Sequence, residues 1–78
     1  MVKLLLIQTT DETVQYQYFP EGKDFYGILS LNRTAGDINI LKQAANDNFN
    51  VYLHHAIRSL ERYYKTGIFP ERDTIAWY

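Results

Sequence analysis

The side chains able to do acid–base or nucleophilic chemistry are few and scattered in this chain. His54 and His55 are its two histidines, Ser30 and Ser59 its two serines, and there is no cysteine. Neighbouring positions on a helix point about 100° apart, whereas two imidazoles sharing a metal ion from one helix need a spacing of three or four residues. The histidine pair is therefore read as polar surface, and no metal ligand is assigned. Without cysteine, disulfides and thiolate metal sites are excluded. Neither serine lies in a glycine-flanked nucleophile elbow, and Gly22, Gly27, Gly36 and Gly67 stand alone rather than in a phosphate-cradling loop. No catalytic residue and no cofactor-binding residue is assigned. An enzyme remains only as a small one whose site forms between subunits, since a single thin pair of layers leaves little room for a pocket.

Two surfaces carry binding chemistry instead. His54, Arg58, Arg62 and Lys65 fall on one side of a helical segment and make it mildly basic, a candidate nucleic-acid face to which the seven tyrosines could add stacking planes. The same cations also complement the helix dipole, Glu61 near Arg58 and Lys65 reads as surface ion pairing, and the net charge of −1 gives no strong field for an anionic partner. The second surface is one face of a sheet. Gln15, Gln17, Tyr26, Ile28 and Ser30 alternate with buried positions, and this mixture of aromatic, aliphatic and amide groups has the make-up of a modest protein interface.

The elements that must carry these residues follow from periodicity. Residues 2–8 and 13–19 read as strands joined by the turn-forming Thr9, Thr10, Asp11 and Glu12. In the second, Val14, Tyr16 and Tyr18 alternate with Gln15 and Gln17, the period-2 pattern of a half-buried strand. Pro20, Glu21 and Gly22 form a turn, and a third strand runs over residues 25–32 with Phe25, Gly27, Leu29 and Leu31 on one side. Gly27, inside that strand, marks a bulge or a close packing partner. A loop at residues 32–36 leads to a fourth strand centred on Ile38 and Ile40, although Leu41 to Ala45 favours helix.

Over residues 47–65 the period changes to that of a helix. Phe49, Tyr52, Leu53, Ala56, Ile57, Leu60, Tyr63 and Tyr64 form one stripe. Asn46, Asp47 and Asn48 offer capping groups at its start, and Gly67, Ile68 and Pro70 end it. Residues 74–78 have strand character again. The first strand is apolar on both faces, Leu4 and Leu6 on one and Leu5 and Ile7 on the other, so it needs a neighbour on each side. Adding the tail there gives the order 5-1-2-3-4, and a helix of about 18 residues, ~27 Å long, can cross the ~19 Å of four inter-strand gaps.

The expected architecture is thus a single α+β domain over residues 1–78: an antiparallel sheet of four to five strands with one long amphipathic helix packed on one face. The segment from Gly67 through Phe69, Pro70 and Glu71 to Trp77 and Tyr78, with the aromatic helix before it, resembles small uncharacterised bacterial proteins that close on a Phe-Pro-Glu segment and a Trp-Tyr terminus. That resemblance covers mainly the last third of the chain. It implies a small α+β domain in a bacterial or phage setting and carries no activity or ligand.

The apolar run Leu4–Ile7 is too short for a signal-peptide core and nothing is long enough to span a membrane, so a cytoplasmic location without membrane contact is expected. A core this small typically leaves only ~3 to 5 kcal/mol of stability, which gives a homodimer a physical motive. The function these residues point to is a non-enzymatic protein-interaction or regulatory accessory module, self-associating through the outer sheet face or a strand edge. Nucleic-acid binding by the helix face is the alternative.

Overall fold

A computed structural model describes residues 1–77. Five strands and one helix follow in the order β1 (Val2–Thr9), β2 (Thr13–Pro20), β3 (Gly27–Asn32), β4 (Ile38–Lys42), α1 (Val51–Thr66) and β5 (Arg72–Ile75). The strands form one antiparallel sheet, β4-β3-β2-β1-β5, and α1 lies against one side of it. This is the order expected from the two apolar faces of the first strand.

Alternation along β2 decides which face is covered. Val14, Tyr16, Tyr18 and Pro20 are buried, while Thr13, Gln15, Gln17 and Phe19 are half-buried. Register carries the same parity across the sheet: Tyr16 stands between Leu6 and Leu29, and Tyr18 between Leu4 and Gly27. The helix closes this side with Leu53, Ala56, Leu60 and Tyr63, and Ile57 and Phe69 pack at the margin. Burying side chains of this size contributes about 1.5 to 3 kcal/mol each, offset by the entropy of ordering the chain.

The turns follow local side-chain chemistry. Thr10 Oγ1 accepts hydrogen bonds from the amides of Glu12 and Thr13 at 3.2 and 2.9 Å, closing the β1–β2 hairpin. Asn32 Oδ1 accepts from the amides of Thr34 and Ala35, both at 2.9 Å, in the β3–β4 loop. Asp47 caps the helix: its carboxylate accepts the Tyr52 and Leu53 amides at 3.1 and 2.8 Å. At the other end Gly67, with φ of 73°, donates its amide to Tyr63 O at 2.8 Å in the left-handed cap.

Several boundaries differ from the sequence expectation. The third strand begins at Gly27, and Phe25 lies outside it with 59 % of its surface exposed. Leu41 and Lys42 complete β4 instead of starting a helix, because a bulge at Leu41 lets Lys42 pair with Ile28 while Ile40 pairs with Leu29. The helix proper starts at Val51, after a 3-10 turn at Asn48–Asn50 in which Phe49 takes φ of 62°. That kink swings Phe49 out of the expected stripe to 93 % exposure. Tyr64 sits at the edge of the stripe, 37 % exposed, with its hydroxyl on Thr34 O at 3.0 Å. β5 ends at Ile75, earlier than the tail strand expected over 74–78, of which Tyr78 lies outside the described residues.

Gly27 is explained by its neighbour. A Cβ at this position would stand 2.1 Å from Tyr18 Cε1, and Tyr18 is fully buried. The glycine is a berth for the tyrosine ring, not a bulge. Gly27→Ala must displace that ring, at a cost of about 3 kcal/mol or more. A fall of ~12 °C or more in thermal midpoint, followed by circular dichroism, is the expected result.

Candidate binding face

The sheet has one covered and one open side, and register assigns each residue of the open side. One row runs Thr74, Lys3, Phe19, with Tyr26 beyond Phe19. The next runs Arg72, Leu5, Gln17, Ile28, Lys42. The third runs Gln8, Gln15, Ser30, Asn39, after a bulge in β1 at Ile7 brings Gln8 opposite Gln15.

The residues singled out from sequence on this face, Gln15, Gln17, Tyr26 and Ile28, therefore do share one surface. Each is half-buried. The apolar pair of the first strand contributes only Leu5 to it, since the bulge displaces Ile7.

Sequence reasoning missed the charged margin. Lys3, Arg72 and Lys42 come from three strands, and only the register shows that they share a face. None of the residues in the three rows is a carboxylate; Glu71 lies at the β5 margin beside Arg72. Lys42 Nζ lies 4.1 Å from the centre of the Tyr26 ring, and the Phe19 and Tyr26 rings are 5.6 Å apart at 49°. Lys42 thus lies at cation–π distance over Tyr26, holding a positive charge above an aromatic pair. Between β1 and β5 a shallow depression of about 330 Å³ is lined by Lys3, Leu4, Leu5, Phe19, Arg72, Asp73 and Thr74.

The helix face behaves differently. His54 and Arg58 are exposed and, with Val51 and His55, line a shallow hollow of about 150 Å³. His55 is not free surface: its ring stacks on Trp77 at 3.7 Å and 10°. Arg62 Nη2 reaches Asp73 Oδ2 at 3.5 Å and its guanidinium lies 5.5 Å from the Tyr63 ring, so it is tied to β5. Lys65 is exposed in the last turn, and Glu61, also exposed, makes no ion pair with Arg58 or Lys65. The four helix residues share an exposed side, with a carboxylate, Glu61, between Arg58 and Lys65.

Beneath the open face, the tyrosines of β2 hold the strand in place. Tyr16 OH donates to Pro70 O at 2.6 Å, and Tyr18 OH accepts the Ala44 amide at 3.1 Å. Tyr63 OH donates to Asp73 Oδ2, and the Tyr16 and Tyr63 rings pack 5.5 Å apart. This Tyr16–Tyr63–Asp73–Arg62 group is the densest titratable cluster near the core. Burial, and then the Asp73 charge, pushes the Tyr16 phenol up to about 12. Burial and the hydrogen bond to Asp73 push Tyr63 up as well. Both shifts keep the phenols protonated, opposite to what a tyrosine base or nucleophile needs, so the cluster is a clamp. Among the described residues no group of three metal-ligating side chains is brought together, and no helix is long and apolar enough to cross a membrane.

Comparison with protein-family models, curated proteins and solved structures returns no match for this chain. The functional reading accordingly rests on the geometry of the open face.

The tyrosine clamp sets an alkaline limit. A phenol whose pKa is raised by folding lends stability fully below its ordinary value of 10.0 and loses it as pH climbs through about 12. The urea midpoint of the wild type is expected to fall steadily across that window. Tyr16→Phe should start lower, having left Pro70 O unpaired, and fall less steeply over the same range.

Proposed function

We propose that the protein is a non-enzymatic interaction module, an accessory part of a larger assembly, that holds an anionic partner on the open face of its sheet. One observation carries the reading: an aromatic and aliphatic centre, Phe19, Tyr26, Leu5 and Ile28, bordered by Lys3, Arg72 and Lys42 with no carboxylate in the three rows. Apolar groups at the centre supply burial, and cations at the rim, in no ion pair among the described residues, supply the sign of the partner. A cytoplasmic setting goes with this reading.

Polyanion matrices, one of polyglutamate and one of oligonucleotide, test it at low salt. The wild type is expected to be retained on at least one, and a variant carrying Tyr26→Asp and Lys42→Glu on neither. Equal retention of the two proteins, or none, removes the face as a binding surface.

Self-association fits a strand edge better than the face. Two copies laid face to face would oppose six like charges without a counter-ion, a geometry that costs several kcal/mol. The β4 edge, by contrast, has a free row of backbone groups and exposes Ile40 and Leu41 by 44 and 55 %. Antiparallel pairing of two copies about Ile40 would set Asp37 of one near Lys42 of the other. Light scattering across micromolar concentrations should then find a dimer that Leu41→Lys dissociates and that Lys3→Glu, on the open face away from the β4 edge, leaves intact. A strict monomer, or a dimer lost with Lys3→Glu alone, excludes this edge.

A further inference from the structure

We infer that the partner held on the open face is single-stranded nucleic acid, an inference that rests on the reading of this face as a binding surface. Three features of the face meet the chemistry of an unpaired strand. Phosphates need cations, and Lys3 and Arg72 stand at one margin of the sheet with Lys42 near the other, about 14 to 19 Å away across three or four inter-strand gaps. Bases need flat apolar surfaces, and Phe19 and Tyr26 sit side by side between those margins, the former also lining the depression beside Lys3 and Arg72. Base edges need donors and acceptors. Gln17 supplies an amide within the central row, where the register sets it between Leu5 and Ile28.

An open sheet of this width accommodates ~2 to 3 bases splayed across its strands. A duplex does not fit the same surface. Its bases are stacked away from the rings, and its major groove, about 12 Å wide, admits a helix or a two-stranded ribbon but not a five-stranded sheet. An acidic peptide would satisfy the cations and leave the aromatic pair and the glutamine without planar partners. The basic helix face is the weaker candidate within the molecule, since Arg62 is engaged with Asp73 and Glu61 divides the remaining cations.

The test is fluorescence anisotropy of the intact protein with a labelled thymidine oligomer of about 12 nucleotides, with a mixed-sequence RNA strand, and with a duplex of matched length. One of the single strands should bind at low salt and the duplex at least tenfold more weakly. Three phosphate contacts give a slope of log affinity against log salt of about −2, a loss of ~10-fold between about 50 and 150 mM. Lys42→Gln should reduce that slope by about 0.7, because one contact is lost. Phe19→Leu and Tyr26→Leu, which keep apolar bulk and remove the ring, should each weaken binding ~5-fold or more while leaving the slope unchanged. Circular dichroism of each variant establishes that the fold is retained.

Absence of binding by both single strands at low salt overturns the inference, as does duplex binding equal to the single strand. Binding that ignores the Phe19, Tyr26 and Lys42 variants and disappears on Arg58→Ala with Lys65→Ala moves the site to the helix and overturns it too. If polyglutamate is bound through the same face and oligonucleotides are not, the nucleic-acid assignment falls and the open-face reading stands. If neither polyanion binds, both fall.

Discussion

Two buried tyrosines on the middle strand of the sheet set the terms for the rest of the molecule. A phenol ring in the core brings much apolar surface and one polar group that must find a partner, and β2 places two of them side by side on its covered face. The partners come from the long connections. Pro70 O, after the helix, meets Tyr16, and the Ala44 amide, before the helix, meets Tyr18. The helix is therefore fastened at both of its approaches to the central strand, beyond what its apolar stripe provides. Gly27 belongs to the same constraint, because the neighbouring strand has to omit a side chain where the Tyr18 ring lies.

With the covered face committed to these rings, the alternate residues of β2 are committed to the open one. Gln15, Gln17 and Phe19 point outward because Val14, Tyr16 and Tyr18 point inward, and a one-residue slip would exchange the two sets. The order of the open face is thus inherited from the core. Its positive margin has a separate origin in β1, β4 and β5, which carry Lys3, Lys42 and Arg72 at positions that the register turns the same way. A chain of net charge −1 can in this manner present one surface whose sign is opposite to that of the whole.

Much of the fold is legible in the sequence because periodicity is a direct trace of burial. The alternation over Val14–Tyr18, the helical stripe from Tyr52 to Tyr63 and the double apolar face of Leu4–Ile7 are enough to give the sheet order. What escapes is what depends on insertions of single residues. The bulges at Ile7 and Leu41 shift parity within their strands, and the left-handed backbone at Phe49 and Asn50 rotates Phe49 off the helix stripe. Half of the candidate site was visible for the same reason: Gln15, Gln17, Tyr26 and Ile28 sit on strands with clean alternation. The cations were not, because their coming together is a property of pairing across five strands, and no local pattern around Lys3, Lys42 or Arg72 announces it.

The placement of β5 bears on how the chain assembles in time. Its four residues pair with Val2–Leu5, the most distant partners in the sequence that any strand of this sheet has. Pairings of such long range are the slowest to close, since the loop entropy is lost before the contacts form. During synthesis the β1–β2–β3–β4 meander and then the helix can organise in sequence, while one edge of β1 waits for a strand not yet made. Until that strand docks, Leu4 and Leu5 stand on an exposed sheet margin, Arg62 and Tyr63 lack Asp73, and the depression between Lys3 and Arg72 does not exist. The cationic rim of the open face is consequently completed only at the last step of folding, so that a nascent or partly folded chain lacks the surface assigned to its partner.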